Sequence, residues 1–219
     1  MTYRPKTARR AIKAKKREAA QRTRAIVVYP MNALANSQME ELKKFLDKEV
    51  EGKNVTYARY TGQESQDERQ RIRNNPPDIL LTNFMMLELL MTRQSELDRQ
   101  VIENCKRLNF IVLDELHTYR GRQGADVAML MRRLRTRTSH DGSEPICVGT
   151  SATMATEGGL SEKAAKVAEV ASKLFGVPFD GTSIITESLE RVTDPLRTAE
   201  DLGDELATAV SRAQAEHAY

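Results

Sequence analysis

Apolar and polar positions along this chain alternate between two periods. Residues 25–29 are a continuous apolar run, Ala-Ile-Val-Val-Tyr, of the kind buried on both faces of a parallel sheet. Pro30-Met31-Asn32 interrupts it, and residues 33–46 read as a helix. A second strand is predicted over 54–60, followed by a very polar stretch over 63–73. Asn74-Asn75-Pro76-Pro77 breaks the pattern, after which 78–81 reads as a short strand and 84–91 as a helix. Two further apolar runs, 110–113 and 146–148, are strand candidates. Between them Val127, Leu130, Met131 and Leu134 recur at helical spacing within 123–137. Ala164, Val167, Val170, Ala171 and Leu174 do the same within 163–175, with Gly176 as the cap. Residues beyond Pro195 are rich in alanine and acids and are predicted helical. Strands alternating with helices define an α/β fold on a parallel sheet.

Two of these strands end in polar residues able to meet a nucleotide. Asp114-Glu115-Leu116-His117 closes the run 109–113, and Thr150-Ser151-Ala152-Thr153 closes the run 146–149. Ligands of parallel α/β sheets bind at the carboxyl ends of the strands, where both tetrapeptides would sit. An aspartate there can hold Mg²⁺, usually through its water shell, and an adjacent glutamate can orient and deprotonate an attacking water.

In company with three more segments, this arrangement resembles the superfamily 2 DEAD/DEAH-box helicases. The segment 29–38, Tyr-Pro-Met-Asn-Ala-Leu-Ala-Asn-Ser-Gln, resembles their motif Ia. Tyr60-Thr61-Gly62 and the segment 81–88, Leu-Thr-Asn-Phe-Met-Met-Leu-Glu, resemble the later nucleic-acid-contacting motifs of the first RecA-like domain. DELH resembles motif II and TSAT motif III, all in the family's chain order, and the likeness covers about residues 24 to 193. The wording most resembles the branch that carries an additional C-terminal cysteine-containing domain.

The resemblance implies a RecA-like, P-loop NTPase-type fold, with ATP and Mg²⁺ as cofactors. It implies Asp114 as metal ligand, Glu115 as general base, and His117 as the residue coupling nucleotide state to the rest of the motor. Ser151 and Thr153 match the hydroxyls that link hydrolysis to nucleic-acid binding. Asn32, Gln38, Thr61, Gly62, Thr82 and Asn83 match positions near the nucleic-acid backbone, with DNA favoured over RNA as the substrate. On residue chemistry alone, His117 could instead be a loop histidine with a local hydrogen bond, and the hydroxyls and amides could be turn or cap residues.

One expected part is missing. A G-x-x-x-x-G-K-[ST] loop should precede motif Ia and cradle the phosphates. The first glycine is Gly52, downstream of that motif, and Gly52-Lys53 is followed by Asn54. The expectation is therefore an incomplete domain, lacking the phosphate-loop strand and its helix, that does not hydrolyse ATP alone. A second polypeptide would supply the phosphate loop and the second RecA-like domain; alternatively, the chain is a non-catalytic nucleic-acid-binding or regulatory remnant. Removing an inner strand leaves its neighbours with unpaired backbone groups, which predicts marginal stability.

Charge divides the chain further. Residues 1–24 hold ten Lys/Arg and one acid, +9 of a total of +3, so the remainder carries −6. That segment is predicted to be a basic helix or a disordered arm, followed by the partial helicase domain over 25–193 and an acidic tail over 194–219. With 40% hydrophobic residues, no run long enough to span a membrane and no secretory signal, the sequence reads as a cytoplasmic protein. Cys105 and Cys147 offer neither a metal site nor a disulfide framework, and Cys147 is predicted in a buried strand. The stripe Met85, Met86, Leu89 and Leu90 is predicted to be core.

Overall fold

Five short strands pair in parallel: β1 (Ala25–Tyr29), β2 (Tyr57–Arg59), β3 (Ile79–Asn83), β4 (Phe110–Leu113) and β5 (Ile146–Gly149). They lie in the order β2-β3-β1-β4-β5. The computed structural model describes residues 21–46, 55–140, 142–152 and 159–186, with Gly203 and Ala207. The chain divides into a unit Met1–Ile184, which contains the sheet, and a unit Ile185–Tyr219. Most of the basic segment, Thr153 and nearly all of the acidic tail lie outside the described residues.

The first strand in sequence occupies the centre. Ala25 pairs with Ile79 of β3 on one side and with Phe110 of β4 on the other, so the three carboxyl ends finish level. Side chains alternate across the sheet as the pleat requires. Ile26, Val28, Leu80, Ile111 and Leu113 face one layer, built from α3 (Phe84–Thr92), α4 (Glu96–Glu103), α5 (Gly121–Thr138) and α6 (Leu160–Phe175). Tyr29, Leu81, Val27 and Ile79 face the other, where α1 (Asn32–Leu46) contributes Ala35, Leu34, Met39 and Leu42.

Several elements depart from the sequence pattern. The polar stretch after β2 forms a helix, α2 (Gln66–Asn74), although Ile72 is its one buried residue. A capping box starts it: the Glu68 amide donates to Ser65 Oγ at 3.2 Å, and the Ser65 amide donates to the Glu68 carboxylate at 3.3 Å. Helix α4, which the hydrophobic pattern did not single out, is opened by the N-cap Ser95, whose hydroxyl accepts from the Asp98 amide at 3.1 Å. The strand expected over 54–60 narrows to three residues.

The fifth strand is the main correction. Expected to be buried, it leaves Ile146 60% and Val148 40% exposed, and Cys147 is only half-buried. Ile146 and Val148 share a face with Phe110, which is 41% exposed beside Ile146 in the register. On that face α1 covers the β1–β3 end, and no described element covers the β4–β5 end. No described strand pairs with the outer edge of β5. Strands of an all-parallel sheet are normally covered on both faces, so the structural deficit is concentrated at this edge. Among the described residues, no helix is long and apolar enough to cross a membrane.

Candidate functional site

Asp114 and Glu115 leave β4 in a tight turn. The Asp114 amide still donates to Val28 O at 2.9 Å, continuing the ladder one step beyond the strand. Glu115 then adopts a left-handed conformation, φ 55° and ψ 55°, which costs a non-glycine residue about 1–2 kcal/mol. Thr150, at the end of β5, holds that turn. Its carbonyl accepts from the Leu116 amide at 2.9 Å and its hydroxyl accepts from the Glu115 amide at 3.3 Å. The same hydroxyl donates to Oδ1 of Asp114. Gly149 is needed beside it, since a Cβ there would lie 2.5 Å from Cδ1 of buried Leu116.

His117 joins the two tetrapeptides. Its Nδ1 lies 3.1 Å from Glu115 Oε2 and 3.3 Å from Ser151 Oγ. The contact to Glu115 has ion-pair distance without a well-aligned hydrogen bond, and Oε2 is shielded from solvent with no other donor among the described residues. Ser151 in turn donates to the Ala152 carbonyl at 2.8 Å. Two buried phenols feel these carboxylates. Burial, and then the Asp114 charge, pushes Tyr29 up to about 12. Burial followed by Asp114 and Glu115 raises Tyr119 further, so both rings stay neutral. Thr150 escaped the sequence reading, although it is the TSAT residue that touches Asp114; its position at the very end of the strand was the available signal.

Among the described residues no three His, Cys, Asp or Glu side chains group as a metal cage. One carboxylate at a strand end beside a hydroxyl nonetheless suits Mg²⁺, which keeps several waters and takes one or two protein carboxylates.

A second site opens at the carboxyl ends of β1 and β3, a cleft of about 490 Å³. It brings together four of the six residues expected near nucleic acid: Asn32, Thr61, Gly62 and Asn83. Asn83 caps α3 by accepting from the Met86 amide at 2.6 Å, while its Nδ2 donates to Asn32 Oδ1 and to Thr61 O at 3.3 Å. Thr82 lies beneath the cleft rather than in it: it is fully buried, and its hydroxyl donates to Tyr60 O at 2.7 Å. Gln38 sits exposed on α1 and does not line the cleft. The methionine stripe divides as well. Met86 is buried, but Met85 is 60% exposed and lines the cleft together with Met31.

Glu64, which the sequence did not single out, builds the Thr61–Gly62 loop. Its carboxylate accepts from the amides of Thr61 at 2.8 Å and Gly62 at 2.9 Å, from the Thr61 hydroxyl at 3.0 Å, and from Arg59 Nε at 2.9 Å. Burial pushes this carboxyl up, but the hydrogen bonds outweigh burial and hold it below its ordinary value. Glycine is required next to it, because Gly62 has φ +94°.

Five parallel strands with helices on both faces define an α/β fold of the RecA-like class, and comparison with known proteins agrees. The DEAD/DEAH box helicase model matches residues 6–158, so the chain belongs to the DEAD/DEAH box helicase family. It is 36% identical over 140 residues to the uncharacterized ATP-dependent helicase YprA of Bacillus subtilis, a match covering 64% of this chain and 18% of that protein. It is 35% identical over 107 residues to the ATP-dependent helicase HRQ1 of Saccharomyces cerevisiae, covering 49% of this chain and 10% of the relative. The crystal structure of the DUF1998 helicase MrfA superposes with a TM-score of 0.58 at 32% identity, covering 72% of this chain and 22% of MrfA. MrfA bound to DNA and AMPPNP superposes with a TM-score of 0.53 at 28% identity, covering 75% of this chain and 20% of that one. The chain thus spans about a fifth or less of the length of these relatives.

Proposed function

We propose that this chain is the motif Ia-to-III portion of the first motor domain of an ATP-dependent DNA helicase. Asp114 would hold Mg²⁺ through its water shell, and Glu115 would orient and deprotonate the attacking water. His117 and Ser151 would report the state of that site, and the Asn32–Asn83 cleft would hold the DNA backbone. The observation that carries this reading is the chain of contacts from Asp114 through Thr150, Glu115 and His117 to Ser151. It lies at the same end of the sheet as the cleft, and the two sites share β1: Val28 pairs with the Asp114 amide, and Pro30 to Asn32 line the cleft. DNA is favoured over RNA by the likeness to MrfA, which has been crystallised with DNA.

The bound nucleotide would supply the phosphoryl group and the metal the charge that offsets its transfer; positioning and electrostatics dominate that chemistry. No G-x-x-x-x-G-K-[ST] segment is present to grip the phosphates. We therefore assign the phosphate loop to another polypeptide segment that would add to the uncovered β5 side of the sheet. The test is Mg²⁺-dependent ATP hydrolysis by the 219-residue chain, alone and with an added phosphate-loop segment of a relative, each with and without single-stranded DNA. We expect no turnover alone, and DNA-stimulated turnover in the completed protein that Glu115→Gln abolishes. Turnover by the chain alone would overturn the division of labour. A folded, completed protein that binds DNA yet does not hydrolyse ATP would favour the non-catalytic reading.

A further inference from the structure

The polar groups that the motif resemblance assigns to nucleic acid are largely consumed inside the protein. Glu64 already occupies both loop amides and the Thr61 hydroxyl, so an intramolecular carboxylate sits where a phosphate would have met them. Asn83 spends its carboxamide on the Met86 amide, Asn32 and Thr61. Any anion entering the cleft must be held chiefly by something else.

Two cations line the same cleft, and no acidic side chain does. Arg69, on α2, donates one guanidinium nitrogen to Gly62 O at 2.9 Å and stands 5.8 Å over the Tyr60 ring. Its Nε is shielded from solvent and has no acceptor among the described residues. Arg93, at the C-terminal end of α3, is exposed, and its guanidinium has no partner among the described residues. Met31 and Met85 line the same cleft with exposed thioether chains. A cleft with two guanidinium groups and an apolar rim matches a strand that alternates phosphate with nucleoside.

We propose that Arg69 and Arg93 are the phosphate-gripping pair of this cleft, and that Met31 and Met85 pack against the nucleosides of the strand between them. The assignment rests on the reading of the cleft as a nucleic-acid site and names the groups that do the work there. Guanidinium forks bind phosphate at any base, so the grip is independent of sequence.

The experiment is fluorescence anisotropy of a labelled oligothymidylate with the 219-residue chain across a series of monovalent salt concentrations. A phosphate contact on a single strand contributes about 0.7 to the slope of log K against log salt, or about fivefold in affinity at 0.1 M. We expect Arg93→Gln and Arg69→Gln each to lose about that factor and that slope, and Arg69→Lys to retain the slope. Met85→Ala should weaken binding at unchanged slope, and Lys166→Gln, an equal charge loss on α6, should change neither. Phosphate contacts elsewhere on the chain add a constant to the slope that these differences cancel. DNA binding whose slope both arginine-to-glutamine variants leave intact overturns the assignment and leaves the helicase reading standing. Unchanged affinity in Met85→Ala overturns the apolar half. A folded chain that does not bind DNA overturns both the assignment and the reading on which it rests.

Discussion

The Thr150 hydroxyl donates to Asp114 and accepts from the amide of Glu115. One side chain at the end of β5 thereby fixes the two acidic residues at the end of β4. Anything that shifts β5 relative to β4 moves the two carboxylates together, and His117 ties Glu115 to Ser151 on the same side.

Thr150→Val keeps the shape and deletes both bonds. A hydrogen bond to a charged group is worth about 1.5–3 kcal/mol; Asp114 and its turn are partly open to water, so the lower end applies. Urea unfolding should show the variant less stable by about 1–2 kcal/mol. Thr150→Ser, which retains the hydroxyl, should recover most of it. Equal losses in both variants would mean that the hydroxyl does not hold the turn.

Glu115 occupies a backbone conformation that favours glycine. Replacing it separates the turn's strain from its chemistry. Glu115→Gly should be more stable than Glu115→Ala by about 1 kcal/mol, because alanine keeps the left-handed strain and glycine removes it. Neither variant should support DNA-stimulated hydrolysis in the completed protein. If thermal unfolding finds alanine equal to glycine, the turn is not strained in solution.

Much of the fold was legible because the buried strands are continuous apolar runs and the helices α5 and α6 carry full apolar stripes. Helix α2 was not, since a helix that buries one residue, Ile72, leaves no period to read; its Ser65–Glu68 capping box was the better signal. Asp114, Glu115 and His117 were legible as a motif, yet the contact of Thr150 with Asp114 was not, because only the pairing of β4 with β5 brings the two together. Thr82 was misplaced by one step of the strand: on β3 its neighbour Asn83 reaches the cleft, while Thr82 turns beneath it. Glu64 was hidden because a carboxylate two residues past a Thr-Gly turn resembles any surface acid until the loop closes around it.

Two carboxylates make stability depend on acid. Burial raises Glu64, but its own amide, the Thr61 amide and hydroxyl, and Arg59 outweigh burial and lower it. Asp78 is likewise raised by burial and lowered further by the Thr56 amide at 3.0 Å, the Thr56 hydroxyl at 2.8 Å and Arg24 Nε at 3.0 Å. Folded values below the unfolded ones, about 4.3 for Glu and 3.9 for Asp, mean that the unfolded chain binds more protons there. Their stabilisation is therefore complete above the unfolded values and is lost as pH falls through the folded ones. Urea midpoints should hold from pH 7 to about 5 and drop below pH 4, with a shallower drop in Glu64→Gln. A Glu64→Gln profile parallel to that of the parent chain would remove Glu64 as a contributor.

The bare end of the sheet makes the last prediction. Phe110, Ile146 and Val148 form an exposed apolar row, and the adjoining edge of β5 pairs with no described strand. Such an edge is a template for other chains. The 219-residue chain should self-associate as its concentration rises, seen by light scattering. Ile146→Lys, a charge of the kind that natural edge strands use, should raise the monomer fraction severalfold while changing unfolding stability by about 0.5 kcal/mol or less, as surface substitutions do. An added phosphate-loop segment should suppress association of the parent chain by covering the same row. A parent chain that stays monodisperse at all concentrations and unfolds in one sharp, reversible transition would show that the row needs no cover. The reading of β5 as the side completed by another segment would then lose its physical basis.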